Sequence, residues 1–250
     1  MLLALVVLLV AMNVWVHVGP ARAHLVTGPV AALGLLLLAR AHGLTWAQLG
    51  LARQDFLRGA LYGAVAAAVV AVVYAAAVAI PSTRGAFRDS RYQVGPGAAV
   101  FLSLVTIPLA TVVFEEVAFR GVLWAELASE LDAYRATAVS ALLFGLWHVL
   151  PALDLTRTRS AIGAGGRARQ RTRVLLTVLG TVAFTMVAGV VLAELRRRSG
   201  SLIAPAVLHW ATNGLGVLAA ARVWALTPRP QGQPPPTEAA GGTGANSCSR

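Results

Sequence analysis

Residues 113–124 read VFEEVAFRGVLW, two adjacent glutamates and an arginine set in otherwise apolar sequence. No charged residue occurs between positions 92 and 114, and then Glu115, Glu116 and Arg120 arrive within six positions. An ionisable group at the centre of a bilayer costs roughly 2.5–3.5 kcal/mol on insertion scales, so such groups face one another, a cavity or the headgroups. On a helix Glu116 and Arg120 lie four apart on one face and can pair, whereas Glu115 points about 100 degrees round the axis. Glu115 is thereby the freer carboxylate.

The 250-residue chain is 57% hydrophobic and only 12% charged, with a mean hydropathy of +0.70. A soluble domain carries about 25% charged residues, so a single water-soluble core is a poor explanation. Uncharged runs cover residues 1–21, 59–83, 92–114, 136–153, 174–193 and 199–221. Each is near or above the roughly 17–25 residues that cross a bilayer as a helix. A shorter run, 25–39, spans only with help from interfacial side chains or a thin bilayer. The expectation is an all-α, polytopic transmembrane helical bundle of seven spans, or eight if the long segment around the glutamates divides. It implies a multi-pass protein of the cell membrane with one domain, 1–226, and a disordered Pro/Gly-rich tail, 227–250.

All twenty-one basic residues are arginine, against ten acids, for a net charge of +11. They sit mostly between the apolar runs, where they meet anionic headgroups, so membrane lipids and not nucleic acid are the expected partners. Their balance gives no orientation. Cys248 has no second cysteine to bond, and it lies third from the end, one place short of a prenylation box. The N-terminal run has no basic residue before it, which favours a retained first span over a cleaved signal.

Along the chain, Thr45 and Gln48 form a capping box with Leu44 as its staple. The stripe Trp46, Leu49, Phe56 and Leu57 predicts a helix in the membrane interface, or for its second half a lead-in to the next span. The fourth apolar run continues through the glutamates to Glu130. Pro108, one to two turns before them, frees a carbonyl and bends the axis, which aims the carboxylates into the bundle. Residues 154–173, glycine-containing with six arginines, cannot build a core and read as a disordered or headgroup-facing loop. Glu194 and Arg196–Arg198 read as an interfacial helix end.

Other polar residues also break apolar runs. His148 closes FGLWH, and His209 opens HWATN with Asn213 four residues later on the same face. Three spans that each carry polarity where it is expensive point to one convergent site. Singly, His148 also reads as a packing histidine bonded to a carbonyl, and Glu116 with Arg120 as a structural pair. His209 and Asn213 alone read as interhelical bonds worth about 0.6 kcal/mol each. Together these groups suit hydrolysis by a carboxylate and an imidazole, with an amide facing the oxyanion. They equally suit metal-assisted hydrolysis, with His148, His209 and Glu115 holding a divalent ion such as zinc. A proton-coupled transporter, or a non-enzymatic binding or immunity protein, uses the same residues.

Glu115-Glu116-Val117-Ala118-Phe119-Arg120 matches an EExxxR motif, Phe144 to His148 an FxxxH motif, and His209 to Asn213 an HxxxN motif. In this order, each on an apolar helix, they resemble the CPBP family of intramembrane proteases, which includes CAAX prenyl protease 2 and bacterial homologues linked to bacteriocin self-immunity. The resemblance covers about residues 101–216. It implies an endopeptidase acting on a hydrophobic or membrane-anchored, and in one branch lipidated, peptide. Glu115 with His148 would activate the water, Glu116 and Arg120 would support them, with Glu116 orienting a histidine, and His209 with Asn213 would form the oxyanion hole. By the same resemblance the favoured mechanism needs no cofactor, with a zinc-type metal as the alternative.

Overall fold

The computed structural model describes residues 2–20, 23–160 and 167–227, the side chains of 155, 157–160 and 167–169 excepted. Among these residues all regular structure is helical. Eight helices follow in order: α1 (Leu2–Val18), α2 (His24–Ala41), α3 (Phe56–Ala79), α4 (Pro96–Glu130), α5 (Ala133–Trp147), α6 (Val149–Ser160), α7 (Arg167–Ser199) and α8 (Ile203–Leu226). Six stretches among the described residues are long and apolar enough to cross a membrane: His24–Ala41, Arg53–Ala79, Pro96–Glu130, Ala133–Asp154, Gln170–Ser199 and Ile203–Leu226. The protein is a multi-pass membrane helical bundle.

Six such helices replace the expected seven or eight. Helix α1 has 17 residues, about 26 Å at 1.5 Å per residue, short of a hydrocarbon core about 30 Å thick. The short run 25–39 gains His24, Arg40 and Ala41 and reaches 18 residues. Helix α4 does not divide at the glutamates. Its 35 residues run on through three wider, π-type segments, Leu102–Thr106, Pro108–Val112 and Glu116–Leu123. Such turns are frequent at functional sites because they re-aim side chains without ending the helix.

Local chemistry sets the remaining boundaries. Pro96 opens α4 at its first turn, where its missing N–H leaves no bond unmade. Asp132 caps α5, its Oδ1 accepting from the backbone N–H groups of Tyr134 and Arg135 at 3.0 Å each. The capping box forms as expected, with Thr45 N donating to Gln48 Oε1 at 2.8 Å and Gln48 N to Thr45 Oγ1 at 3.2 Å. It closes a turn and not the expected interfacial helix. Gly50, at φ +76°, reverses the chain, and after it Arg53–Asp55 leads straight into α3. Helix also enters both ends of the stretch expected as a loop at 154–173, through Ser160 and from Arg167, since arginine and alanine are good helix formers. Residues 161–166 and the tail from 228 lie outside the described residues.

Contacts sort the helix ends onto two faces. On one, Leu202 N donates to Gly50 O at 2.9 Å, and Arg196 Nη2 donates to the carbonyls of Gln48 and Ala47 at 2.9 and 3.3 Å. Arg196 is buried, with its guanidinium carbon 5.7 Å from the Trp124 ring. It is therefore a staple between α7 and the 45–50 turn, whereas Arg197 and Arg198 pair with Glu194 as an interfacial helix end does. On the opposite face, Trp224 Nε1 donates to Asp89 O at 2.9 Å, and His17 Nε2 lies 3.4 Å from Asp154.

The outward faces of α3 and α7 carry exposed Leu61, Val65, Val69, Leu175, Phe184 and Val187. Exposed apolar area on this scale belongs against lipid. The inward face of α3 is small: a Cβ built on Gly59 would stand 2.6 Å from Ser201 Cβ, and one on Gly63 would stand 2.8 Å from Val207 Cβ. This spacing lets α3 lie close against α8, which carries part of the site. Gly63→Leu is expected to cost about 1–3 kcal/mol by overpacking and to lower the unfolding temperature in detergent. Val69→Leu, on the lipid side, is expected to leave it unchanged.

Candidate active site

Helix α4 brings the charges. Residues 114–123 are buried without exception, and within them Arg120 is 1% exposed and Glu116 2%. Glu116 Oε1 accepts two bonds, from Arg120 Nη1 at 3.0 Å and from His209 Nδ1 of α8 at 2.7 Å. A carboxylate only accepts, so the His209 proton sits on Nδ1 in this bond. The pair expected from the four-residue spacing exists, and Glu116 also binds the histidine of α8. Phe144 of α5 lies under the guanidinium, its ring centroid 3.9 Å from the Arg120 carbon. At that distance the ring face attracts the cation and seals it from lipid.

Glu115 occupies different surroundings. Its Oε1 accepts from Trp147 Nε1 at 3.0 Å, and its buried Oε2 has no hydrogen-bond partner among the described residues. His209 Nε2 is the neighbouring cation-forming group, 3.8 Å from Oε2, too far for a hydrogen bond. His148, at the C-terminal cap of α5, donates Nδ1–H to Phe144 O at 2.8 Å. Its Nε2 therefore carries the lone pair whenever the ring is neutral.

Glu115, Trp147, His148 and Asn213 line one cavity of about 680 Å³. Phe114, Ile107 and Met12 supply apolar wall, and Tyr74, His17, Asp89, Arg91 and Asp154 a polar outer part. Asp89 accepts from Arg91 Nε and Nη2 at 3.1 and 2.6 Å, and this bond holds the Arg91 guanidinium pKa above its ordinary value. Asn213 stands exposed in the wider π-type turn Ala211–Leu215, while His209, one turn earlier, is buried against the two glutamates. The six expected residues thus fall into two layers: Glu115, His148 and Asn213 line the cavity, and Glu116, Arg120 and His209 are buried and do not line it. Among the described residues no group of three or more His, Cys, Asp or Glu side chains is arranged to hold a metal ion.

Three contributors went unassigned in the sequence. Phe144 touches Arg120 and packs edge-on against His148 and His209, at 4.7 and 6.0 Å between ring centroids. Trp147 binds Glu115. Asn13 of α1 donates Nδ2 to Trp147 O at 2.8 Å. Asn13 left a readable signal, as a lone amide in the run LLALVVLLVAMNVWV, where an unpaired polar group is costly. Phe144 and His148 are four apart and share a helix face.

A family model for type II CAAX prenyl endopeptidase, Rce1-like, matches residues 97–215. That segment, a little under half of the chain, is similar to this CAAX-like protease family. Neither a curated protein nor a solved structure matches the chain. The matched segment holds all six expected residues, from Glu115 to Asn213, and leaves α1 with Asn13 outside. The buried Glu and His cluster is consistent with a membrane protease site.

Breaking a buried pair strands a charge, at about 3–5 kcal/mol. Arg120→Met is expected to lower the unfolding temperature of detergent-solubilised protein sharply, leaving Glu116 with His209 alone. The double variant Glu116→Gln with Arg120→Met is expected to recover part of that loss, as read by thermal unfolding of all three proteins.

Proposed function

We propose that the protein is an intramembrane endopeptidase that hydrolyses a peptide bond in a hydrophobic or membrane-anchored peptide, using water activated by Glu115 and His148. One observation carries this reading: a carboxylate with one oxygen free of hydrogen bonds among the described residues, an imidazole and a carboxamide from three membrane helices line the same cavity. The wall beside them is apolar and the mouth polar, which suits a peptide whose anchor stays in lipid.

Water between Glu115 Oε2 and His148 Nε2 gives up a proton as its oxygen attacks the carbonyl carbon. The carbonyl π electrons move onto oxygen, and the Asn213 amide faces that developing charge. His209, one turn before Asn213, is held by its Nδ1–H bond to Glu116, with Nε2 turned toward Glu115. The tetrahedral intermediate collapses as the C–N bond breaks, and the proton taken from water passes to the leaving amine. Glu116 and Arg120 fix His209 and stay unchanged throughout.

Reconstituted in liposomes with an anchored peptide, the wild type is expected to release a product with a new terminus, identified by mass spectrometry. Glu115→Ala and His148→Ala are expected to insert normally and to lower kcat by about 10³-fold or more, the order lost with essential groups that act together. Near wild-type turnover in either variant overturns the assignment. Cleavage is expected to persist in excess chelator, and a loss restored by added zinc would replace the metal-free mechanism.

A further inference from the structure

We infer that Trp147 is a positioning residue for Glu115 and that α1 holds it in place through Asn13; the inference rests on Glu115 being the carboxylate that activates water. A glutamate side chain rotates freely unless something binds one oxygen, and only a fixed carboxylate presents the other to a water in a reproducible direction. Trp147 does this: its Nε1 donates to Glu115 Oε1 at 3.0 Å, and Oε2 is left without a hydrogen-bond partner among the described residues. An indole N–H donates and cannot accept. It therefore does not compete for the proton taken from water.

The ring itself is held. Phe114 and Phe119 of α4 lie against it, with centroids 5.8 and 5.7 Å away. Its backbone is held from another helix, for a reason visible in the sequence. Pro151 has no N–H for the carbonyl four residues earlier, so the Trp147 carbonyl loses its helical partner. Inside a membrane such a carbonyl needs another donor. Asn13 Nδ2 supplies it at 2.8 Å, and His17, one turn along α1, bonds Asn13 O through Nδ1 at 2.6 Å and approaches Asp154 of α6 at 3.4 Å. Helix α1 thus fixes the turn from which both Trp147 and His148 project, although it lies outside the segment that marks the family. Trp147 also separates the cavity from an apolar groove of about 260 Å³ between α1 and α5. A mere partition would need the ring but not its N–H.

The test removes the N–H and keeps the ring. Trp147 is replaced by Phe and, by site-specific incorporation, by the isosteric benzothienylalanine, whose sulfur stands where the N–H was. Both are expected to lower kcat on the anchored peptide by about 10-fold or more, with KM within twofold and an unchanged unfolding temperature. Asn13→Leu is expected to lower kcat in the same direction. In ¹⁵N-indole spectra, the Trp147 N–H resonance is expected to move in Glu115→Ala. If the analogue keeps wild-type kcat while Trp147→Phe loses stability and raises KM, the ring is only packing and the positioning role falls. A wild type that cleaves while both Trp147 variants retain kcat also sinks it and leaves the proposed function standing. A wild type that cleaves nothing removes the function beneath it, and the positioning role with it.

Discussion

One carboxylate oxygen organises the interior. Glu116 Oε1 holds Arg120 on its own helix and His209 on α8, and both cation-forming groups are buried. Each alternative packing of α4 against α8 would strand a charge in a medium that penalises it by several kcal/mol. The pair fixes rotation and register of the two helices at once. Phe144 closes the third side, so α5 arrives at the same point. With these three helices set, Glu115 faces outward to the cavity because Glu116, its neighbour, is committed inward.

Two prolines contribute a second constraint of the same kind. In the π-type register around residues 102–107, where Ile107 N bonds Leu102 O, the next carbonyl, that of Ser103, would need the N–H that Pro108 lacks. Trp210 Nε1 of α8 donates to it at 2.9 Å. Pro151 leaves the Trp147 carbonyl free in the same way, and Asn13 takes it. Lipid offers no donors, so each proline obliges another helix to bring a polar side chain to a fixed spot. Backbone defects thereby become interhelical bonds, and both lie within a turn or two of a site residue.

Much of this was legible in the sequence and some was not. Membrane class, helicity, the continuous run through Glu115 to Glu130, the Glu116–Arg120 pair and the three polar motifs follow from hydropathy, spacing and the expense of polarity in lipid. The number of spans did not, because α1 falls a few ångströms short and α2 gains length only from its flanking residues. The Thr45 box reads the same whether a helix or a single turn follows it, and Gly50 decides between them. Arg196 sits in a row of three arginines that look alike in sequence. Only the tertiary position of the 45–50 carbonyls singles it out. Trp147 reads as an aromatic in an apolar helix, and nothing local shows that its N–H meets Glu115.

The cavity is lined from one half of the bundle only. Its residues come from the C-terminal parts of α1 and α3, the 86–92 connector, the N-terminal half of α4, the end of α5 with the first turns of α6, and α8 from Thr212 on. Arg196, Leu49 and Leu202 are buried in the other half. On the proposed function, a peptide that reaches Glu115 would therefore enter and leave through the half of the bundle that lines the cavity. Were a peptide cut there, both fragments would be released toward the same side.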